Sequence, residues 1–146
     1  MYKRQVGRFA RIQTLDSLKL IRKVQAAAEK INHPMAILLQ VNAGNDPAKY
    51  GFKIEESAFA LDEILKSSHL LIEGLMTIAP YSPDDPSVAR KCFDQLAELR
   101  ESLQQSHGLS LDELSMGMSD DLFHAIAAGS TTVSYTHLTL PTTPYV

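Results

Sequence analysis

Four apolar runs, each followed by a segment long enough for a helix, constrain this chain more than any other feature. The first run is Phe9 to Leu15, which alternates as a strand does. Asp16-Ser17 then offer a helix cap, and Leu18, Ile21, Val24, Ala28 and Ile31 follow at helical spacing until Asn32-His33-Pro34. Met35 to Asn42 is almost continuously apolar, as a parallel strand covered on both faces should be. After the loop Ala43 to Pro47, a helix carries Ile54, Ala58, Leu61 and Leu65. Leu71 to Pro80 reads as the third strand. Asp85 caps a helix with Pro86 at its first position, where the missing amide costs nothing. Val88, Cys92, Leu96, Leu99 and Leu103 would line its buried face, and Gly108 would end it in a left-handed residue. The fourth run ends in Leu114-Ser115-Met116, and Ser130-Thr131-Thr132 would start one more strand. No hairpin signal interrupts the series. The predicted order is β-α-β-α-β-α-β-α followed by the start of a fifth strand, so the strands should be parallel and the crossovers right-handed. Such a pattern suits a flavodoxin-like open sheet or a barrel equally.

The junction Leu114-Ser115-Met116-Gly117-Met118-Ser119-Asp120-Asp121 carries the clearest chemical suggestion. Gly117 permits a sharp turn, Ser119 is a natural N-cap, and the two aspartates suit the positive end of a helix dipole. Phe123, Ile126 and Ala127 would give the short helix an apolar face ending near Ala128-Gly129. A strand, a glycine turn and a capped helix make the kind of junction that holds an anion on backbone amides. The same residues also describe an ordinary helix cap, and adjacent aspartates repel a bare phosphate unless they point away.

Composition narrows the classes. The chain has 146 residues, enough for one domain or part of one, with a net charge of −3 and no basic run or aromatic-basic interleaving of the nucleic-acid-binding kind. No apolar run suffices to span a membrane, and no signal peptide is evident. Cys92 is the only cysteine, which excludes an internal disulfide and a cysteine-based zinc site and makes a reducing cytoplasm the simplest setting. The histidines show no metal-binding spacing. Glu55-Glu56 and Asp120-Asp121 are neighbours whose side chains diverge on a helix, so neither pair forms an acid/base dyad. Ser115 and Ser119 have no evident His or Asp partner for nucleophilic catalysis.

The junction octet, with Ala125-Ile126-Ala127-Ala128-Gly129-Ser130-Thr131 after it, closely resembles the late part of the pyridoxal-phosphate homeostasis proteins, single-domain relatives of the alanine racemase barrel. The stretches Leu38-Leu39-Gln40-Val41-Asn42, Lys49-Tyr50-Gly51-Phe52 and Gly74 to Pro80 are similar to the same family. The resemblance implies an α/β fold that is part of a (β/α)8 TIM barrel, namely strands four to seven and the start of strand eight. It implies pyridoxal 5′-phosphate (PLP) as the cofactor, a role in intracellular PLP homeostasis, and no catalytic turnover. The runner-up readings are a piece of a PLP-dependent racemase or decarboxylase barrel, and a generic phosphate-binding α/β domain.

In such barrels the ligand lies at the C-terminal ends of the strands, and phosphate commonly meets the loops after the last two. That rule selects Asn42, Met76, Gly117, Met118 and Ser119. The resemblance implies that the Ser119 hydroxyl and the amides near Met118 and Ser119 hold part of the phosphate. Met116 would flank the ring or pack in the core; Asn42 would orient a ligand or cap its loop. Lys49, just after the second run, is a secondary phosphate contact or a solvated loop charge.

The family's Schiff-base lysine lies on a first strand that this sequence does not contain, so the chain is expected not to function alone. The arginine expected to face the pyridine nitrogen belongs to an eighth-strand "vRIG" segment, and here Val133-Ser134-Tyr135 stand in its place. Protein partners are not indicated. Both ends read as foreign. Met1 to Gln5 can be back-translated as GTG TAT AAG AGA CAG, the end of a transposase adapter used in sequencing libraries. The stretch from Val133 back-translates as GTC TCT TAT ACA CAT CTG, the opposite strand of that adapter. Residues 1–5 and 133–146 are therefore expected to be adapter-derived, and residues 6–132 the C-terminal part of a PLP-binding barrel.

Overall fold

A computed structural model describes residues 6–134; residues 1–5 and most of the second adapter-like segment lie outside the described residues. Strands β1 (Arg11–Leu15), β2 (Met35–Gln40), β3 (Leu70–Met76) and β4 (Glu113–Ser115) alternate with helices α1 (Leu18–Ile31), α2 (Ser57–Leu65), α3 (Pro86–His107) and α4 (Leu122–Ala127). All pairings are parallel and the sheet order is β1-β2-β3-β4. This sequential order separates the two architectures that the pattern left open. Right-handed crossovers between strands laid down in sequence put every helix on one face, as in a barrel, whereas a doubly wound sheet must reverse its order. Beyond β4, Thr132 forms a parallel bridge to Ser115, where the next strand was expected to begin.

Local chemistry accounts for most boundaries. Ser17 caps α1, and its hydroxyl accepts a hydrogen bond from the Leu20 N–H. Asn32 ends α1 in the left-handed region at φ 48°. Asp85 caps α3 by accepting from the Ser87 N–H, Pro86 follows, and Gly108 ends the helix at φ 64°. The second helix differs from expectation. It starts at Ser57 behind a single 3-10 turn, and buries Ala60, Leu61 and Ile64, while Leu65 stays half exposed.

One core lies between the sheet and the helices. Leu15, Ile37, Leu39, Leu75 and Leu114 from the strands meet Ile21, Val24, Leu61, Ile64, Phe93 and Leu96 from the helices. Leu38 and Met76 are also buried, yet outside that core, because alternation turns them to the opposite face. Arg11 reaches across that inner face. Its Nε lies 2.5 Å from Glu73 Oε2 and its Nη1 3.1 Å from Glu113 Oε2, so β1 is pinned to β3 and β4 over the intervening β2. A sheet must curve for such a contact to close.

The short helix α4 corrects the sequence reading. Phe123 is 84% exposed and Ile126 58%, and only Ala125 of that helix is buried. Its burying side is thus a small residue against the Gly117 turn, and the apolar stripe faces outward.

Candidate functional site at the strand ends

The C-terminal ends of β2, β3 and β4 carry three loops, and a cavity of about 480 Å³ opens between them. Lys49 comes from the loop after β2, Tyr81 and Ser82 from the loop after β3, and Met118, Ser119, Asp121 and His124 from the junction after β4. The loops are tied together at their base. Thr77, just past β3, donates its hydroxyl to the Val41 carbonyl at 2.7 Å and its N–H to the Ser115 carbonyl at 3.0 Å. Beneath them Cys92 is buried, and that burial pushes its thiol up to about 11. The thiol is therefore an inert core group.

Gly117 makes the junction possible. Its φ is +100°, and a Cβ there would lie 2.4 Å from the Ala125 Cβ. Only glycine lets the chain leave the strand and bring α4 back beneath it. The Met118 N–H then donates to Asp121 Oδ1 at 2.6 Å. The residue preceding α4 is Asp121, not Ser119, and the Asp121 carboxylate is turned back onto the loop. Ser119 is exposed beside the cavity, and its hydroxyl makes no hydrogen bond to another described residue. Neither side chain caps α4: Asp121 holds the cap position without a capping hydrogen bond, and local sequence could not show this because serine and aspartate are equally good caps.

The remaining expected residues divide clearly. Met116 is 2% exposed and packs in the helix-side core, so it does not reach the cavity. Met76 is buried on the inner face of the sheet. Asn42 uses its side chain inside its own loop: Nδ2 donates to the Asp46 carbonyl at 2.8 Å and to the Lys49 carbonyl at 3.3 Å, and Oδ1 accepts from the Asp46 N–H at 3.0 Å. Loop capping is its observed role. Lys49 is half-buried on the cavity wall, and among the described residues no carboxylate lies within ion-pairing distance of it. The structure therefore brings Lys49, Met118 and Ser119 together on the cavity wall, and leaves Met76, Met116, Gly117 and Asn42 off it. Sequence reasoning missed the inner-face pair in which Ser115 donates its hydroxyl to Gln13 Oε1 at 2.8 Å. Their separation of 102 residues gives no local signal. Among the described residues there is no cluster of three or more metal-ligating side chains, and no helix is long and apolar enough to cross a membrane.

Comparison with known proteins identifies the family and the fold. The family described as "Alanine racemase, N-terminal domain" matches residues 5–135. The pyridoxal phosphate homeostasis protein of Aquifex aeolicus is 36% identical over 128 residues, which is 88% of this chain and 56% of that protein. The protein of the same name from Synechocystis is 38% identical over 130 residues, 88% of this chain and 58% of its own length. The chain thus spans about half the length of the curated relatives it matches. Among solved structures, PipY of Synechococcus elongatus superposes with a TM-score of 0.84 at 30% identity without PLP, and 0.82 at 29% with PLP bound. Each comparison covers 92% of this chain and 62% of PipY. Alanine racemase of Clostridium difficile shares the fold alone, with a TM-score of 0.74 at 14% identity.

Proposed function

The chain belongs to the alanine racemase N-terminal domain family, and from that premise we propose that it forms part of a PLP-binding barrel serving PLP homeostasis rather than catalysis. On this reading β1 to β4 and the Thr132 bridge are strands four to seven and the start of the eighth, and the described part contributes to the phosphate end of the cofactor site. A cytoplasmic setting rests on the single buried cysteine.

The observation that carries the proposal is the cavity at the strand ends, where a lysine and a serine hydroxyl that bonds to no other described residue, from two different loops, share one wall system. Bound PLP supplies an aldehyde able to react with an amine, and a phosphate ester that needs cationic and hydrogen-bonding partners. The residues present fit the second requirement. Among the described residues no carboxylate lies within ion-pairing distance of the Lys49 ammonium, and Ser119 can donate through its hydroxyl; Asp120 and Asp121 also line the cavity, and of the two only Asp121 is engaged, by the Met118 N–H. Gly117 fixes the turn that presents Ser119. The Met118 N–H can serve a phosphate only when the Asp121 carboxylate gives way, since that oxygen already accepts from it. Met76, Met116 and Asn42 do not line the cavity and would support it without touching the cofactor.

The test uses pyridoxine 5′-phosphate, which keeps the phosphate and lacks the aldehyde, so that random reaction with surface lysines does not contribute. Equilibrium dialysis with the uninterrupted protein recovered from the source DNA should show retention of this ester over pyridoxine, and Ser119→Ala should weaken it. Equal retention of ester and alcohol would overturn the assignment.

A further inference from the structure

Asn42 lies just beyond β2, and three of its polar groups close one loop. The side-chain Nδ2 donates to the carbonyls of Asp46 and Lys49, and Oδ1 accepts from the Asp46 N–H. The Asn42 N–H donates to the Phe52 carbonyl at 2.8 Å, and the Phe52 N–H donates to the Gln40 carbonyl at 2.9 Å. Asp46 continues the closure: its carboxylate accepts from the Ala48 N–H at 2.9 Å, and its carbonyl accepts from the Lys49 N–H at 3.0 Å. Lys49 is therefore held on both sides of its Cα. Its N–H is tied to Asp46 and its carbonyl to the Asn42 side chain.

Both N–H bonds of the Asn42 carboxamide are spent in this closure, so the residue keeps no donor for a ligand. A lysine side chain is long and has many rotamers, so where its ammonium can act depends on how firmly its backbone is set. Between β2 and the 3-10 turn before α2, the bracing centred on Asn42 sets that backbone.

We propose that Asn42 is a positioning residue: it fixes the loop so that the Lys49 ammonium addresses the cavity opposite the Met118–Ser119 turn, where it takes a phosphate monoester. This rests on the phosphate-site reading above and assigns Asn42 an action through Lys49.

A double-mutant cycle on the uninterrupted protein tests it, with pyridoxine 5′-phosphate as the probe and pyridoxine as the phosphate-free control. Lys49→Ala should weaken ester binding about tenfold, as expected for one charge-assisted contact. Asn42→Ala should reproduce most of that loss, yet cost less than about twofold in the Lys49→Ala background. Pyridoxine retention should not change. Asn42→Asp keeps the acceptor for the Asp46 N–H and loses both donations, so it carries the same test if Asn42→Ala does not fold. With lysines labelled by 13C-dimethylation, the Lys49 methyl signal should shift on ester addition in the wild type and stay still in the Asn42 variant. A merely structural role would not abolish that response selectively. Ester binding that falls in Lys49→Ala but not in the Asn42 variants would overturn the positioning role and leave the phosphate site standing. So would fully additive losses. An unmutated chain that does not prefer ester to alcohol would instead overturn the site reading itself.

Discussion

The Asp121 carboxylate accepts a 2.6 Å hydrogen bond from the Met118 N–H, so the turn after β4 closes on its own aspartate. Asp121→Ala should free that amide. Its hydrogen exchange, followed by NMR, should quicken, while the Met116 N–H, held by the Thr132 carbonyl at 3.0 Å, should exchange as before. The stability cost should be about 1 kcal/mol, the net worth of one hydrogen bond. Unchanged exchange at Met118 would show that the bond does not form in solution.

Gly117 should tolerate no side chain. Gly117→Ala places a Cβ against Ala125 at a φ that L-residues rarely adopt. Urea unfolding should show a loss of roughly 1–3 kcal/mol from the overpacking. Adding Ala125→Gly should restore part of it by removing the contact while the backbone strain remains. A neutral Gly117→Ala would contradict the turn geometry.

Glu113 makes folding sensitive to acid. The hydroxyl of Thr131 first, then Arg11 and the hydroxyl of Thr132, hold its carboxyl below the ordinary range. A carboxylate with a lowered folded-state pKa contributes stability above its unfolded value and loses it as pH falls through the folded one. The unfolding midpoint should therefore drop between about pH 5 and the lower folded-state pKa of Glu113. Glu113→Gln should be less stable at neutral pH and show a shallower acid decline. Parallel pH profiles for the two proteins would refute this linkage.

The reading of residues 1–5 and 133–146 as adapter-derived predicts a different genomic frame. Sequencing the source DNA with reads that cross both ends should reveal an upstream strand bearing a lysine and a "vRIG"-like continuation after Thr132. A genomic frame that retains both segments would remove the adapter reading.

Where residues near in sequence decide the structure, the sequence was legible. The caps Ser17 and Asp85, the stop at Asn32, and the Pro86 and Gly108 ends of α3 each depend on side chains within a few positions. The burial of Cys92, Leu96 and Leu103 followed from helical spacing. By contrast, α2 turned a different face inward, because packing against its neighbours selected Ala60 and Ile64 over Ala58 and Leu65. In α4 the stripe of Phe123 and Ile126 was overruled by the close approach of Ala125 to Gly117.

The sequence by itself determined the parallel βα alternation and the glycine turn at the candidate site. Apolar periodicity and special backbone angles are written in consecutive residues. Resemblance carried in a few motifs added the barrel. Tertiary structure decided which site residues meet. It set Lys49 beside the Ser119 turn, sent Met116 into the core, and engaged Asn42 in its own loop. Those outcomes depend on the curvature and register of strands tens of residues apart, which fix where each side chain points once the sheet has closed.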